Sequence, residues 1–74
     1  MTVNFPQLRA FVAVVDAGGF GAAADELGVS QSAVSHAVAS LEREVAGPLL
    51  VRSGRVRPTV LGERVLPYAR GVLS

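Results

Sequence analysis

Apolar residues recur along this 74-residue chain in four groups with helical spacing, and a short hairpin-like segment separates the last two. Leu8, Phe11, Val12 and Val15 follow i, i+3, i+4, i+7, the stripe of an amphipathic helix. Its start lies in Asn4-Phe5-Pro6-Gln7. Either Asn4 is the cap, with Gln7 completing a capping box, or Phe5 is the cap and Pro6 the first helical residue. Gly18-Gly19 ends it. Phe20, Ala23, Ala24 and Leu27 predict the buried stripe of a short second helix, and the alanines at 22–24 are small enough for a neighbouring helix to approach closely. Gly28 supplies a left-handed terminator, and Ser30 then caps a third helix. Val29 and Val34 have the spacing of a hydrophobic staple.

The stretch 28–42 is the most unusual part of the chain. At 100° per residue Val34, Val38, Leu41 and Val45 share a narrow arc. Ser32, Ser35, His36 and Arg43 fall opposite, with Gln31 near the N-terminal flank. That outer face is small, polar and almost uncharged before Arg43, whereas solvent-facing helices usually carry Glu and Lys. Val45-Ala46-Gly47-Pro48 breaks the helix. Residues 49–52 and 55–58 flank Ser53-Gly54 and predict a two-stranded hairpin. Thr59 caps a last helix from Val60, in which Leu61, Val65, Tyr68 or Ala69, and Val72 form an apolar stripe that calls for a partner. Pro67 is expected to interrupt and kink this helix, at about 3 kcal/mol if fully interior.

Composition narrows the function. Half the residues are apolar, enough for one modest core. Without cysteine there is no disulfide framework and no thiolate site, and a single histidine leaves little for a metal cage. No cofactor or metal is expected. No apolar run reaches about 18 residues and the N-terminus lacks a signal-peptide pattern, so a cytoplasmic domain is expected. Net charge is only +1, but residues 1–50 carry two Arg against five acids, net −3, and residues 51–74 carry five Arg against one Glu, net +4. Arg52, Arg55 and Arg57 cluster on the hairpin with no acid nearby in sequence. Arg presents a planar fork suited to phosphate oxygens and guanine edges.

Two other chemistries are weaker fits. Gly19-Phe20-Gly21-Ala22-Ala23-Ala24 matches G-x-G-x-x-A, the dinucleotide fingerprint, with residues 11–15 as its strand. The following helix would end after about two turns, and no second strand follows where such a unit requires one. Ser35 and His36 are neighbours on one helix and do not face each other, so they cannot serve as nucleophile and base, and no enzyme is expected. A winged-helix module used only for protein–protein interaction remains an alternative, because fold alone does not set function.

Two helices joined by residues 28–30 form a helix-turn-helix, whose second helix enters the DNA major groove by its N-terminal residues. The whole chain resembles the N-terminal domain of LysR-type bacterial transcriptional regulators. The likeness rests on residues 8–14, Gly19-Phe20, Ala22-Ala23-Ala24 with Leu27, residues 29–35, Leu41-Glu42, Leu49-Leu50 with Arg52, Thr59 with Gly62, and residues 66–70. The resemblance implies a mainly α winged helix-turn-helix over 1–59, with a three-helix core, a recognition helix at 30–44 and a two-stranded wing. It implies that 60–74 starts a linker helix, with the family's effector-binding domain absent. DNA contacts fall to Ser30, Gln31, Ser32, Ser35, His36, Arg43, Arg52, Arg55 and Arg57, and dimer contacts to Leu61, Val65, Tyr68, Ala69 and Val72. The implied partners are double-stranded DNA with an imperfect inverted repeat and a second copy of the chain, with tetramers in full-length relatives. A small-molecule effector would act through the missing domain.

The departures from the family pattern have consequences. Relatives often carry Ser-Phe-Thr where this chain has Gly19-Phe20-Gly21, Arg at position 36, and basic residues at 39 and 40, here Ala39 and Ser40. The stretch between Arg52 and Thr59 is one residue shorter than usual. Weaker, less salt-sensitive DNA binding than that of a typical relative is expected.

Overall fold

The computed structural model describes residues 2–74. Its helices α1 (Phe5–Ala17), α2 (Phe20–Leu27) and α3 (Gln31–Val45) precede strands β1 (Leu50–Val51) and β2 (Arg57–Pro58), and α4 (Val60–Leu73) follows. Local chemistry accounts for most boundaries. Asn4 is the α1 cap: its side chain accepts from the Gln7 N–H and the Gln7 side chain accepts from the Asn4 N–H, both at 3.0 Å. Two orphan donors are thereby satisfied reciprocally. Gly28 ends α2 with φ 68°, and its N–H reaches the carbonyls of Ala24 and Asp25. A side chain there would meet the left-handed penalty that glycine escapes.

Helix α3 ends differently from its glycine-rich exit. The left-handed residue is Ala46, φ 60°, and not Gly47. Gly47 follows it, closely packed: a Cβ there would lie 2.9 Å from Leu61 Cδ2, a contact that a turn of the Leu61 side chain could relieve. A left-handed alanine costs of order 1–2 kcal/mol, and here the conformation lets the Ala46 N–H reach the Arg43 and Glu42 carbonyls that close the helix.

The core is one layer of side chains where α1 crosses the helix-turn-helix. Phe11, Val14, Val34, Val38, Leu41 and Leu49 are fully enclosed, each stabilising the fold by about 1.5–3 kcal/mol relative to exposure. Ala23 and Ala24 are the buried residues of α2, while Phe20 and Leu27 are only partly covered. Gln7 is also buried, 5 % exposed; its Nε2 donates to Ser40 Oγ at 2.7 Å. Ser40 therefore faces α1 and lies off the outer face of α3.

The wing is smaller than expected. Pairing is confined to Leu50 with Pro58 and Val51 with Arg57, leaving residues 52–56 as an irregular loop. Gly54 turns with φ 70°, and Arg57 Nη1 donates to the carbonyls of Ser53 and Arg55, curling the loop onto its own backbone. Residues 49, 52, 55 and 56 consequently stand outside the strands.

Helix α4 packs along α1 and the end of β2. Thr59 Oγ1 caps it by accepting from the Gly62 N–H at 3.0 Å and donates to the Pro48 carbonyl at 2.7 Å. Pro67 does not interrupt it: the helix is continuous from Val60 to Leu73. Pro67 and Glu63 are both exposed, so the Glu63 carbonyl that loses its intrahelical donor can turn to water. Ala69, expected on a dimer face, is 0 % exposed within the core, and Leu61 and Val65 pack partly against the same core. Tyr68 and Val72 remain outside, at 79 % and 54 % exposure. Beyond Ala69, Arg70 grips Asp16 through two bonds, Nη2–Oδ1 at 2.7 Å and Nη1–Oδ2 at 3.1 Å.

Two stability predictions result. A Cβ at Gly62 would lie 2.1 Å from the Leu49 carbonyl oxygen, so Gly62→Ala should lower stability by about 1–3 kcal/mol in urea unfolding. The same substitution at the exposed, uncrowded Gly71 should raise it by up to about 1 kcal/mol. The Arg70 guanidinium holds the Asp16 carboxyl below its ordinary 3.8. A depressed acid stabilises the fold above its unfolded pKa and loses that contribution as pH falls through the folded value. Thermal melting should therefore drop more steeply below about pH 4 in the wild type than in Asp16→Asn. The difference should be small, since both side chains are half exposed.

Candidate nucleic-acid interface

The candidate surface comprises the outer face of α3, the start of α2 and the wing. Ser30 fixes where α3 begins. Its backbone is extended (φ −75°, ψ 155°) and its hydroxyl accepts from the Ala33 N–H at 3.1 Å, with Ser32 Oγ at 3.3 Å. The capping oxygen thus spends one lone pair on the helix, and the rest of the hydroxyl is shared with Ser32 and the surface outside. Gln31, Ser32 and His36 are exposed, Ser35 half-buried and Arg43 exposed one turn from the helix end. The structure brings these five together on one helix surface. Gln31 also lies over the start of α2, its Oε1 close to Gly21.

Helix α2 opens on Gly19, which offers no side-chain cap. Its first backbone N–H groups therefore keep their hydrogen-bonding capacity for a ligand or water. The segment 19–24 is the cap and first turn of this helix, and a helix rather than a strand precedes it. That geometry removes the dinucleotide reading. Ser35 and His36 sit on successive positions of α3, splayed by the helical turn.

The wing arginines differ from expectation. Arg52 does have an acid nearby: its Nη2 lies 3.6 Å from Glu42 Oε1, and its guanidinium covers the Phe20 ring 4.6 Å from the centroid. Glu42 uses its other oxygen to accept from the Leu49 N–H at 2.7 Å. The Arg55 guanidinium rests beside Gly18 at the end of α1. Arg57 donates only to carbonyls, so its charge stays uncompensated. Glu42, Phe20 and Gly18 are the partners that sequence reasoning missed. Glu42 and Arg52 are ten positions apart and their elements meet only through the fold, so no periodicity signals the pair.

A second surface lies on the opposite flank of α3. Phe5, Pro6, Arg9, Leu27, Val29 and Ala33 border an open apolar groove of about 200 Å³. Val29 and Val34 both line it, so the staple of the sequence forms one wall. Among the described residues, no helix is long and apolar enough to cross a membrane.

An αL-terminated helix, a three-residue turn, a second helix with an exposed polar face and a two-stranded wing define a winged helix-turn-helix DNA-binding domain. The chain belongs to the lysR family of bacterial regulatory helix-turn-helix proteins, whose family model matches residues 5–63. It is 51 % identical over 74 residues to the probable HTH-type transcriptional regulator LrrA of Synechococcus elongatus, covering 97 % of this chain and 25 % of that protein. It thus spans about a quarter of the length of the curated relatives it matches. Among solved structures, the BenM_DBD/benA site 1 DNA complex aligns with TM-score 0.89 at 38 % identity, covering 96 % of this chain and 81 % of that one. The CbnR_DBD-DNA complex aligns with TM-score 0.90 at 39 % identity, covering 96 % and 83 %. The family is one of regulators, and the chain is not an enzyme.

The cap of α3 gives this surface its shape. Ser30→Ala should cost about 1 kcal/mol in urea unfolding, and Ser30→Asp, which keeps an acceptor, should recover most of it.

Proposed function

We propose that this chain is the DNA-reading head of a transcriptional regulator, with α3 in the major groove and the wing over the sugar–phosphate backbone or minor groove. The observation that carries this is the exposed face of α3: Gln31, Ser32, Ser35 and His36 in a row, short and uncharged, with Arg43 behind them. A face without bulk lets the helix axis approach base edges closely. Gln31 can bond adenine N6 and N7 together, and the serines can donate or accept. Arg55 and Arg57 supply phosphate contacts, Ser30 the hydroxyl at the helix entry, and the uncapped start of α2 a further donor set.

The whole regulator acts as a homodimer on an imperfect inverted repeat, with tetramers available to the full-length protein and a small-molecule effector bound outside this chain. Leu61, Val65, Tyr68, Ala69 and Val72 were the expected dimer contacts. Of these, Tyr68 and Val72 have the exposed surface for the role, and Val60 at the start of the same helix is exposed as well. Its place in the cell is the cytoplasm, on the nucleoid.

Selection from random-sequence duplex pools would recover the half-site and test the reading. Gln31→Ala should weaken the selected site about 10- to 100-fold, corresponding to about 1–3 kcal/mol, while leaving melting and random-sequence binding unchanged. Arg57→Ala should instead weaken all sequences alike and lower the log-affinity against log-salt slope by about 0.9. Unchanged affinity in both variants would refute this reading of the surface.

A further inference from the structure

Arg52 stands where three elements meet. It leaves the end of β1, lies over Phe20 at the start of α2 and faces Glu42 near the end of α3. Glu42 is the more enclosed partner, its side chain 20 % exposed against 50 % for Arg52. One carboxylate oxygen holds the Leu49 N–H where the chain enters the wing, and the other faces the guanidinium. The Phe20 ring sets the plane of the guanidinium and the Glu42 carboxylate sets the side to which its charge is drawn, so the two together fix where Arg52 stands.

We infer that Glu42 and Arg52 form a positioning pair that sets the wing against the recognition helix, and that Arg52 serves DNA binding through this pairing instead of neutralising a phosphate. The inference rests on the DNA-binding reading above. It reverses a sign. An isolated carboxylate near the DNA surface repels phosphates, so removing its charge should strengthen binding. Removing a carboxylate that holds the wing in place should instead weaken binding, because Arg55 and Arg57 both belong to that wing.

The test uses this chain with a fixed random-sequence duplex, titrated between about 50 and 200 mM salt. Glu42→Gln and Arg52→Gln should each weaken binding about three- to tenfold, and the double variant should bind no worse than either single one, the mark of a coupled pair. Arg52→Lys, which keeps a charge for phosphate but lacks the planar face over Phe20, should fall to the level of Arg52→Gln. The opposite pattern overturns the inference: Glu42→Gln binding as well as or better than wild type, with Arg52→Lys retaining wild-type affinity. Amide hydrogen exchange at Leu49, without DNA, decides the pairing separately. It should quicken in Arg52→Gln, which touches no atom of that hydrogen bond. An unchanged Leu49 rate in Arg52→Gln would also overturn the inference. If the wild type fails to bind the duplex even at low salt, the DNA reading fails, and the exchange rate still judges the pair.

Discussion

Leu49 is fully enclosed, and both of its backbone polar groups must find partners inside the protein. A buried peptide group left without one forfeits about 1–3 kcal/mol. The N–H goes to Glu42 on the recognition helix and the carbonyl accepts from Thr59 N–H at the entrance to α4. That one residue therefore ties the end of α3, the wing and the last helix into a fixed arrangement. Gly62 is the counterpart of this constraint: with no Cβ, it lets the first turn of α4 sit directly against the Leu49 carbonyl. The cap formed by Thr59 strengthens the same corner, because its hydroxyl bridges the Pro48 carbonyl and the Gly62 N–H.

The parts of the fold that the sequence made legible are those written in local chemistry. The capping box at Asn4 and Gln7, the cap at Ser30, the terminator at Gly28 and the cap at Thr59 each act within four residues, so spacing alone identifies them. The outer face of α3 was legible for the same reason: a period of 3.6 sorts Val34, Val38 and Leu41 from Ser32, His36 and Arg43. What failed was set across elements. Ala69 looked available for a partner because its stripe was read without α1, against which α4 lies. The strands were drawn too long because the β-prone residues around Ser53-Gly54 carry no sign that Arg57 bonds back to the loop carbonyls. Ser40 counted as a missing cation on the DNA face, yet it turns toward Gln7.

That last correction changes how the departures from the family pattern are weighed. Position 40 faces α1, so its lack of charge removes no contact from the outer face of α3. The absent hydroxyls at Gly19 and Gly21 and the histidine at 36 do lie on or beside the surface that would meet DNA. On the proposed DNA reading, the positions that lack a family hydroxyl or cation are thus concentrated at the start of α2 and on α3.

The remaining cations compensate by being held in place. Arg57 is fixed by two carbonyls and Arg55 rests against Gly18, so neither needs a carboxylate to define its position. A guanidinium held by carbonyls keeps its full charge for a phosphate and has already lost much of the side-chain freedom that binding would remove. Arg52 is placed instead by the Phe20 ring and the Glu42 carboxylate, at the root of the wing that carries the other two. On the proposed DNA reading, one arginine sets geometry and two face phosphates. Salt dependence, which counts phosphates neutralised, should follow the two and not all three. On the proposed reading, a wing held against α3 would set how deeply the helix sits, and the small polar side chains on α3 would then discriminate between base edges.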